Sequence, residues 1–195
     1  MPASPTDLPP AVPLEAETIR LEPLAERHLP GLADAAGDAR IWTYSVRGDT
    51  GAYLDTARRM MERGEAVVFV VVEKTSGRVL GMSRLFEIDP AHRRLEIGYT
   101  WYIPEVWGTQ VNPEAKLLLM THAFETWGAR RVQYKIHHAN ARSRAAVEKL
   151  GAVLEGVLRK HMIQPDGSRR DSAVYSILDE EWPAVKEKLQ ARLAA

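Results

Sequence analysis

The sequence predicts an α/β protein with one mixed β-sheet, and two observations carry that prediction. Alternating or wholly apolar runs, which are typical of strands, follow one another closely between residues 66 and 103. After residue 104, helical and extended patterns alternate instead. The 195 residues are enough for one domain with a substantial core, and no internal repeat divides them. We therefore expect a proline-rich leader at 1–17 and a single domain at 18–195.

The first half of the sequence predicts a simple order of strands and helices. Five prolines and weak periodicity favour an extended conformation for the leader. The segments that follow predict a strand at 18–24, helices at 26–36 and 49–61, and strands at 66–73 and 79–86. The apolar run Val67–Val72 indicates a central strand covered on both faces. Turn residues at 75–78 make the last two strands a hairpin.

The stretch from residue 95 to residue 127 carries the first functional signal. Leu95–Ile103 is rich in aromatic and β-branched residues and alternates in polarity, which predicts a half-buried strand. Residues 116–127 are apolar at helical spacing, and Asn112 and Pro113 suit the cap and first turn of that helix. A glycine-containing loop thus leads into a helix N-terminus, which favours phosphate. An ordinary strand-to-helix connection has the same pattern, so both alternatives stay open here.

A second motif follows one strand later. Asn140-Ala141-Arg142-Ser143 opens a helix that ends at Leu150-Gly151, and Glu155-Gly156 comes next. In this order, the two motifs resemble the GNAT superfamily of N-acetyltransferases, and most closely its RimJ/RimL-type branch. The resemblance is strongest over residues 95–160. It implies the GNAT acyl-CoA N-acyltransferase fold, in which helices flank a central, mostly antiparallel sheet with one splayed strand pair.

The resemblance implies acetyl-CoA as the cosubstrate and assigns a group of residues to it. In GNAT enzymes, main-chain groups of the strand bind pantetheine and polarise the acetyl carbonyl, and the loop wraps the pyrophosphate. When these family roles are applied to this sequence, the strand residues would be Trp101, Tyr102 and Ile103. The loop residues would be Gly108, Thr109, Gln110, Val111 and Asn112. Asn140 would hydrogen-bond the pantetheine arm and Ser143 would lie near the sulfur. The simpler alternatives are a helix cap for Asn140 and solvent exposure for Ser143.

The chain departs from the family pattern in this region. Gln110 stands where the Rim-type loop has glycine, and Asn112 where it has alanine or glycine. Since glycine permits positive φ, Gln110 implies a rearranged loop or a weaker pyrophosphate contact. The strand before the loop is one residue longer than usual, which suggests a β-bulge near Thr100.

Glu96 is the candidate general base. A primary amine is mostly protonated near neutral pH, so a base or a water chain must take its proton before it attacks. Glu96 lies at the start of the strand, on the face opposite Leu95, Ile97 and Tyr99, and GNAT members often place a carboxylate there. An exposed glutamate at a strand start is an equal alternative.

The proton for the leaving sulfur needs a source as well. Many GNAT enzymes use a tyrosine on the helix after the asparagine, but no tyrosine occurs between Asn140 and Gly151. Ser143 or an ordered water would have to serve, with Tyr175 as a more remote choice.

Residues 41–44 have two alternative roles. They either have a packing role alone or form a wall of the acceptor pocket.

Composition argues against several other classes of function. The 26 basic and 26 acidic residues cancel, so no charge excess favours nucleic acid or membrane. Cysteine is absent, and His137 and His138 point to opposite faces of a predicted strand, so no metal site is expected. No signal peptide or membrane-length apolar run is evident, which favours a cytoplasmic protein. The family resemblance implies a homodimer.

Two functions from different classes remain. The chain is either an enzyme that acetylates a protein N-terminus or a small-molecule amine by direct attack on the thioester, or a GNAT-fold module that holds coenzyme A with little turnover. An aminoglycoside-type acetyltransferase ranks lower, because Glu87, Asp89 and Glu96 form only a modest acidic cluster.

Overall fold

The computed structural model describes residues 8–44, 50–164 and 166–194. The strands are β1 (Leu14–Glu15), β2 (Ile19–Pro23), β3 (Ala66–Glu73), β4 (Val79–Asp89), β5 (Arg94–Tyr102), β6 (Arg131–His137), β7 (Val153–Ile163) and β8 (Arg169–Leu178). The helices are α1 (Leu29–Ala35), α2 (Thr50–Glu62), α3 (Val111–Thr121), α4 (Ala141–Leu150) and α5 (Trp182–Leu193). Short 3₁₀ segments occupy Glu26–His28, Ala39–Trp42 and Pro104–Val106, and a π-helical turn, His122–Thr126, extends α3.

The described strands form one sheet in the order β1-β2-β3-β4-β5-β6-β8-β7. Neighbouring strands are antiparallel except β5 and β6, which are parallel. These two strands pair only along Arg94–Glu96 and Arg131–Gln133, so a gap separates the rest of their length. The predicted α/β fold class, with a mostly antiparallel sheet and one splayed strand pair, is confirmed.

The predicted element boundaries agree with the structure to different extents. The strand predicted at 66–73 is β3, whereas β4 runs three residues past its predicted end at residue 86. The helix predicted at 26–36 is divided into a 3₁₀ turn and α1, with Pro30 in the first turn of α1, where its missing N–H costs little. The predicted start of the next helix, Asp49, lies outside the described residues.

A β-bulge interrupts the pairing of β4 with β5. Met82 pairs with Trp101 and Arg84 with Gly98, so Ser83 alone faces both Tyr99 and Thr100. Tyr99 adopts a positive φ of 50°. The bulge predicted near Thr100 is therefore confirmed.

The bulge corrects the predicted orientation of Tyr99. The extra residue turns Tyr99 onto the face of the sheet that carries Glu96, away from Leu95 and Ile97. There its ring packs against that of Phe86, with the ring centroids 4.9 Å apart.

Helices cover both faces of the sheet. One core contains Phe69, side chains from α3, α4 and α5, and Leu95, Ile97 and Tyr102 of β5; the other contains Val70 and side chains from α1 and α2. Consecutive residues of β3 thus enter opposite cores, which confirms the central strand predicted from its apolar run. No helix in the described ranges combines the length and hydrophobicity needed to cross a bilayer.

The described part of the predicted leader contacts the rest of the chain. β1 pairs with β2, and His122 Nε2 donates to the carbonyl oxygen of Pro10 over 2.8 Å. Residues 1–7 lie outside the described ranges. The division into a leader and one domain at 18–195 stays a prediction.

Glu114 connects α3 to β2. Its buried Oε2 accepts hydrogen bonds from the Thr18 N–H (3.1 Å), the Thr18 hydroxyl (2.9 Å) and the Ile19 N–H (3.2 Å). Glu114→Ala leaves these donors without their acceptor, so we expect the free energy of unfolding to fall by about 3 kcal/mol in urea titrations. Glu105→Ala, at an exposed pair with Arg78, should cost less than about 1 kcal/mol. Equal losses of unfolding free energy in the two variants would contradict the role of Glu114 as the acceptor that holds α3 to β2.

Candidate active site

The gap between β5 and β6 opens into a cavity of about 800 Å³ that passes through the sheet. Side chains of α3, α4 and the loop after β5 line it on one face of the sheet. On the other face the lining comes from residues 40–44, from β4, and from the hairpin of β7 and β8. Residues 41–44 thus lie in a cavity wall, as one of their two predicted roles requires.

The cavity brings most of the predicted site residues together. Its lining includes Glu96, Trp101, Tyr102, Gly108, Asn112, Asn140 and Ser143. The other predicted residues, Ile103, Thr109, Gln110 and Val111, are not part of the lining. The Ile103 N–H donates to the Leu80 carbonyl over 2.8 Å, so Ile103 can offer only its carbonyl. The cofactor roles assigned from the sequence stay predictions.

The loop before α3 explains the unusual residue at position 110. Gly108 has a φ of 81°, so glycine occupies the position of this loop where the backbone needs a positive φ. A Cβ added there would meet nothing within 4 Å, so the space around it is open. Gln110 has φ −74° and ψ −12°, a conformation open to any residue. The rearranged loop expected from Gln110 is therefore not required by its backbone.

The predicted cap of α3 is wrong. The helix begins at Val111 with Gln110 at its N-cap, so Asn112 lies in the first turn. Pro113 is tolerated three residues into the helix, because the first-turn N–H groups have no intrahelical acceptor.

Asn140 and Ser143 begin α4 beside the cavity. The Asn140 Oδ1 accepts a hydrogen bond from the Ser143 N–H over 3.0 Å, so the capping role of Asn140 is confirmed. Ser143 is half-buried in the lining, not freely exposed. The Tyr175 hydroxyl is bonded to Glu148 and to Arg144 and does not line the cavity. It is therefore poorly placed to protonate a sulfur there.

Glu96 is buried, with 3% of its surface exposed, so the exposed alternative is wrong. Its Oε2 lies 3.0 Å from Lys135 Nζ and accepts from Gln133 Nε2 over 3.3 Å, and its Oε1 accepts from the Lys135 N–H. Burial raises the pKa of Glu96 to about 7, an effect that Glu87 reinforces and Lys135 opposes. A carboxyl with this pKa can exchange a proton near neutral pH.

Lys135 is a site residue that sequence reasoning missed. It bridges Glu96 and Glu87, and although burial lowers its pKa, the two carboxylates raise it overall. The available signal was the alternation of β6, which places Lys135 on the face opposite the buried Tyr134.

Lys116, in the first half of α3, was also missed. Only 5% of its surface is exposed, and its Nζ donates to Thr100 Oγ1 over 2.9 Å. Burial lowers the pKa of Lys116 to about 7. The sequence held a signal, because Lys116 precedes the apolar residues Leu119 and Met120 by three and four positions, on the buried stripe of the helix.

Two guanidinium groups flank the loop at the mouth of the cavity. Arg142 stacks on the Trp107 ring at 3.7 Å, and Arg40 lies 5.8 Å from the same ring. Arg144 instead bonds to Tyr175. Arg40 and Arg142 line the cavity.

Comparison with known proteins agrees with this geometry. Residues 18–153 match the family described as Acetyltransferase (GNAT) domain. Among curated proteins, YdaF from Bacillus subtilis (strain 168), a candidate ribosomal N-acetyltransferase, is 34% identical over 110 residues. That match spans 56% of this chain and 59% of YdaF, less than two thirds of either protein.

Two solved structures match over nearly the whole chain. A candidate acetyltransferase from T. thermophilus is 41% identical, with a TM-score of 0.80, over 93% of this chain and 96% of its own. A GCN5-related N-acetyltransferase from Brucella melitensis is 32% identical, with a TM-score of 0.86, over 94% of this chain and 86% of its own. The resemblance drawn from the two motifs is thus confirmed, and the name of YdaF agrees with the RimJ/RimL-type branch. The chain belongs to the GNAT acetyltransferase family.

Proposed function

We propose that the chain transfers the acetyl group of acetyl-CoA to a primary amine, on a protein N-terminus or a small molecule. The observation that carries this proposal is Glu96, a buried carboxyl that lines a cavity passing through the sheet. Such a cavity allows the thioester and the amine to approach from opposite faces. The carboxyl lies on the face of residues 41–44, which is the proposed acceptor side.

The residues present suit acetyl-CoA on the other face. The first turn of α3 presents N–H groups and the positive end of its dipole beside Gly108 and Asn112, and Arg142 adds a cation. Beyond the bulge, Tyr102 O accepts from Trp107 Nε1, which fixes the loop against the end of β5. The Tyr102 hydroxyl is buried and, within the described ranges, has no hydrogen-bond partner, so the cavity still offers a donor to a polar ligand.

The proposed reaction needs no covalent enzyme intermediate. Glu96 takes a proton from the bound ammonium, the freed amine nitrogen forms a bond to the acetyl carbon and releases a second proton to water, and the carbon–sulfur bond breaks with its electron pair on sulfur. Lys135 holds the Glu96 carboxylate in place and stabilises its charge once the proton has left. Glu87, Lys135 and His137 make the acceptor side polar, whereas Trp42 and Phe86 supply apolar surface.

The ribosomal role in the name of YdaF favours a protein N-terminus as acceptor. Such an acceptor must thread its first residues into the cavity, and the opening beside Trp42 and Tyr44 is lined by aromatic side chains that can pack against a peptide. The second candidate, a coenzyme A-binding module with little turnover, rests on the departures at Gln110 and Asn112. A homodimer and a cytoplasmic location stay predictions.

Calorimetric titration of acetyl-CoA tests the cofactor assignment. We expect wild type to bind, and Gln110→Gly to bind with a free energy within about 1 kcal/mol of wild type, because Gln110 already has a conformation that needs no glycine. Binding by Gln110→Gly alone would show that the loop has diverged, and binding by neither would refute the cofactor site.

Release of free thiol tests the activity. Acetyl-CoA is mixed with peptides that carry a free N-terminus and, separately, with small primary amines, and the thiol is measured over time. Release that depends on an amine supports the enzyme, and mass analysis of the amine identifies the acceptor class. Tight binding of acetyl-CoA without release from any amine would favour the binding module.

A further inference from the structure

The proposed reaction leaves a thiolate that needs a proton, and α4 offers no evident donor beyond one hydroxyl. Its side chains along the cavity include Ser143, Ala146, Val147 and Leu150, none of which titrates near neutral pH. A donor must therefore come from another element that reaches the same face of the sheet.

Lys116 reaches that face from α3. Its Nζ donates to Thr100, the bulge residue of β5, and lies 5.7 Å from the centre of the Tyr134 ring. Lys116, Tyr134 and Tyr102 all line the cavity on the face of α3 and α4. Among the described residues no carboxylate forms an ion pair with Lys116, and burial alone shifts its pKa.

The neighbours of Lys116 are donors without acceptors. The hydroxyls of Tyr102 and Tyr134 are buried, and neither finds a hydrogen-bond partner in the described part of the chain. Burial raises the pKa of both tyrosines, so they stay protonated through the neutral range. Unpartnered buried donors are costly, and a ligand atom that accepts hydrogen bonds would relieve that cost.

We propose that Lys116 is the group that protonates the sulfur of coenzyme A as the thioester breaks. This inference rests on the proposed function. As the carbon–sulfur bond breaks, the electron pair stays on sulfur, an N–H bond of the Lys116 ammonium breaks, and its proton moves to sulfur. The products are a thiol and a neutral amine, and a solvent proton restores the ammonium before the next turnover.

The surroundings of Lys116 favour this transfer. Burial lowers the pKa of Lys116 to about 7, below the value of roughly 8.5 that is typical of a thiol. The proton therefore moves from the stronger acid to the conjugate base of the weaker one. The transfer also replaces a buried ion pair with two neutral groups, which a low-dielectric cavity favours. The Tyr102 and Tyr134 hydroxyls can donate to the sulfur while it carries charge.

The ionisation of bound coenzyme A tests the inference without any acceptor. Coenzyme A is added to wild type, to Lys116→Met and to Lys149→Met, and proton release and thiolate absorbance are followed together from mildly acidic to alkaline pH. Because Lys116 is the stronger acid, we expect the wild-type complex to release one proton more than Lys116→Met near neutral pH, before thiolate absorbance appears. Lys149→Met, the same substitution at an exposed lysine of α4 outside the cavity lining, should behave like wild type.

One further measurement and one further variant make the outcomes distinguishable. Calorimetry with coenzyme A shows whether each variant still binds, and Lys116→Gln, which also lacks the cation, replaces Lys116→Met if that variant does not fold. If wild type does not bind coenzyme A, both the proposed function and this inference fail. Binding with equal proton release in wild type and the Lys116 variants, or thiolate absorbance that appears together with the first proton, overturns the inference and leaves the proposed function standing.

Discussion

Replacing Glu96 by glutamine is expected to slow acetyl transfer by about 10²- to 10⁴-fold and to leave acetyl-CoA binding unchanged. Glutamine matches the shape of the carboxyl and its single amide oxygen can still accept from either Gln133 or the Lys135 N–H, but it cannot take a proton from the amine. The rate is measured by thiol release with the amine that wild type accepts, and binding is measured by calorimetry. Loss of binding in parallel with the rate would indicate a structural role for Glu96.

The pH dependence gives an independent check on Glu96. Because Glu96 must be ionised to act and Lys116 must be protonated to act, the wild-type rate should rise with pH towards about 7 and fall beyond it, and Glu96→Gln should lack the rise. Stability should change in the opposite sense. The folded chain holds the Glu96 proton more tightly than the unfolded chain, whose carboxyl has the ordinary pKa of 4.5, so this residue lowers the free energy of unfolding as pH rises from about 4.5 to about 7.

Glu87→Gln is the matched control for Glu96→Gln. Glu87 is partly exposed, lines the same side of the cavity and also pairs with Lys135. Its charge raises the pKa of Glu96, so its removal should move the rise in rate to lower pH and leave the maximal rate within about tenfold of wild type. If Glu87→Gln lowered the maximal rate as much as Glu96→Gln does, the roles of the two carboxyls would have to be exchanged or shared.

The sequence predicted those parts of the site that depend on local pattern. Strand β5, the bulge at Thr100 and the glycine loop at Gly108 follow from alternation, strand length and turn chemistry, each of which operates over a few residues. The splayed pair of β5 and β6 came from the family resemblance, because no local signal states which strands separate.

The parts that the sequence did not predict depend on contacts between distant segments. Glu96 could not be distinguished from an exposed glutamate, because its burial depends on Lys135 and Gln133 of the parallel neighbour β6. Tyr99 was placed on the wrong face because a bulge reverses the alternation that the prediction assumed. Lys116 was overlooked because one lysine on an apolar helical stripe resembles a side chain that reaches out to solvent.

Gly81→Ala is expected to cause the largest loss of stability of the substitutions considered. A Cβ at Gly81 would lie 2.0 Å from the Trp101 carbonyl oxygen and 2.9 Å from the Tyr102 Cα. Both are main-chain atoms of β5 that cannot rotate away, so β4 and β5 must separate just beyond the bulge. We expect the free energy of unfolding in urea to fall by about 4 kcal/mol or more, a value associated with severe overpacking of a core.

The same separation would move the end of β5, so Gly81→Ala should also weaken acetyl-CoA binding in whatever fraction of the protein remains folded. Gly156→Ala is the matched control, since it adds the same methyl group to a strand glycine whose Cβ would meet nothing within 4 Å. Its unfolding free energy should stay within about 1 kcal/mol of wild type. If both variants were equally stable, the close approach of β4 to β5 would not be tight in solution. The proposal that this strand end presents rigid main-chain groups to the cofactor would then lose its structural basis.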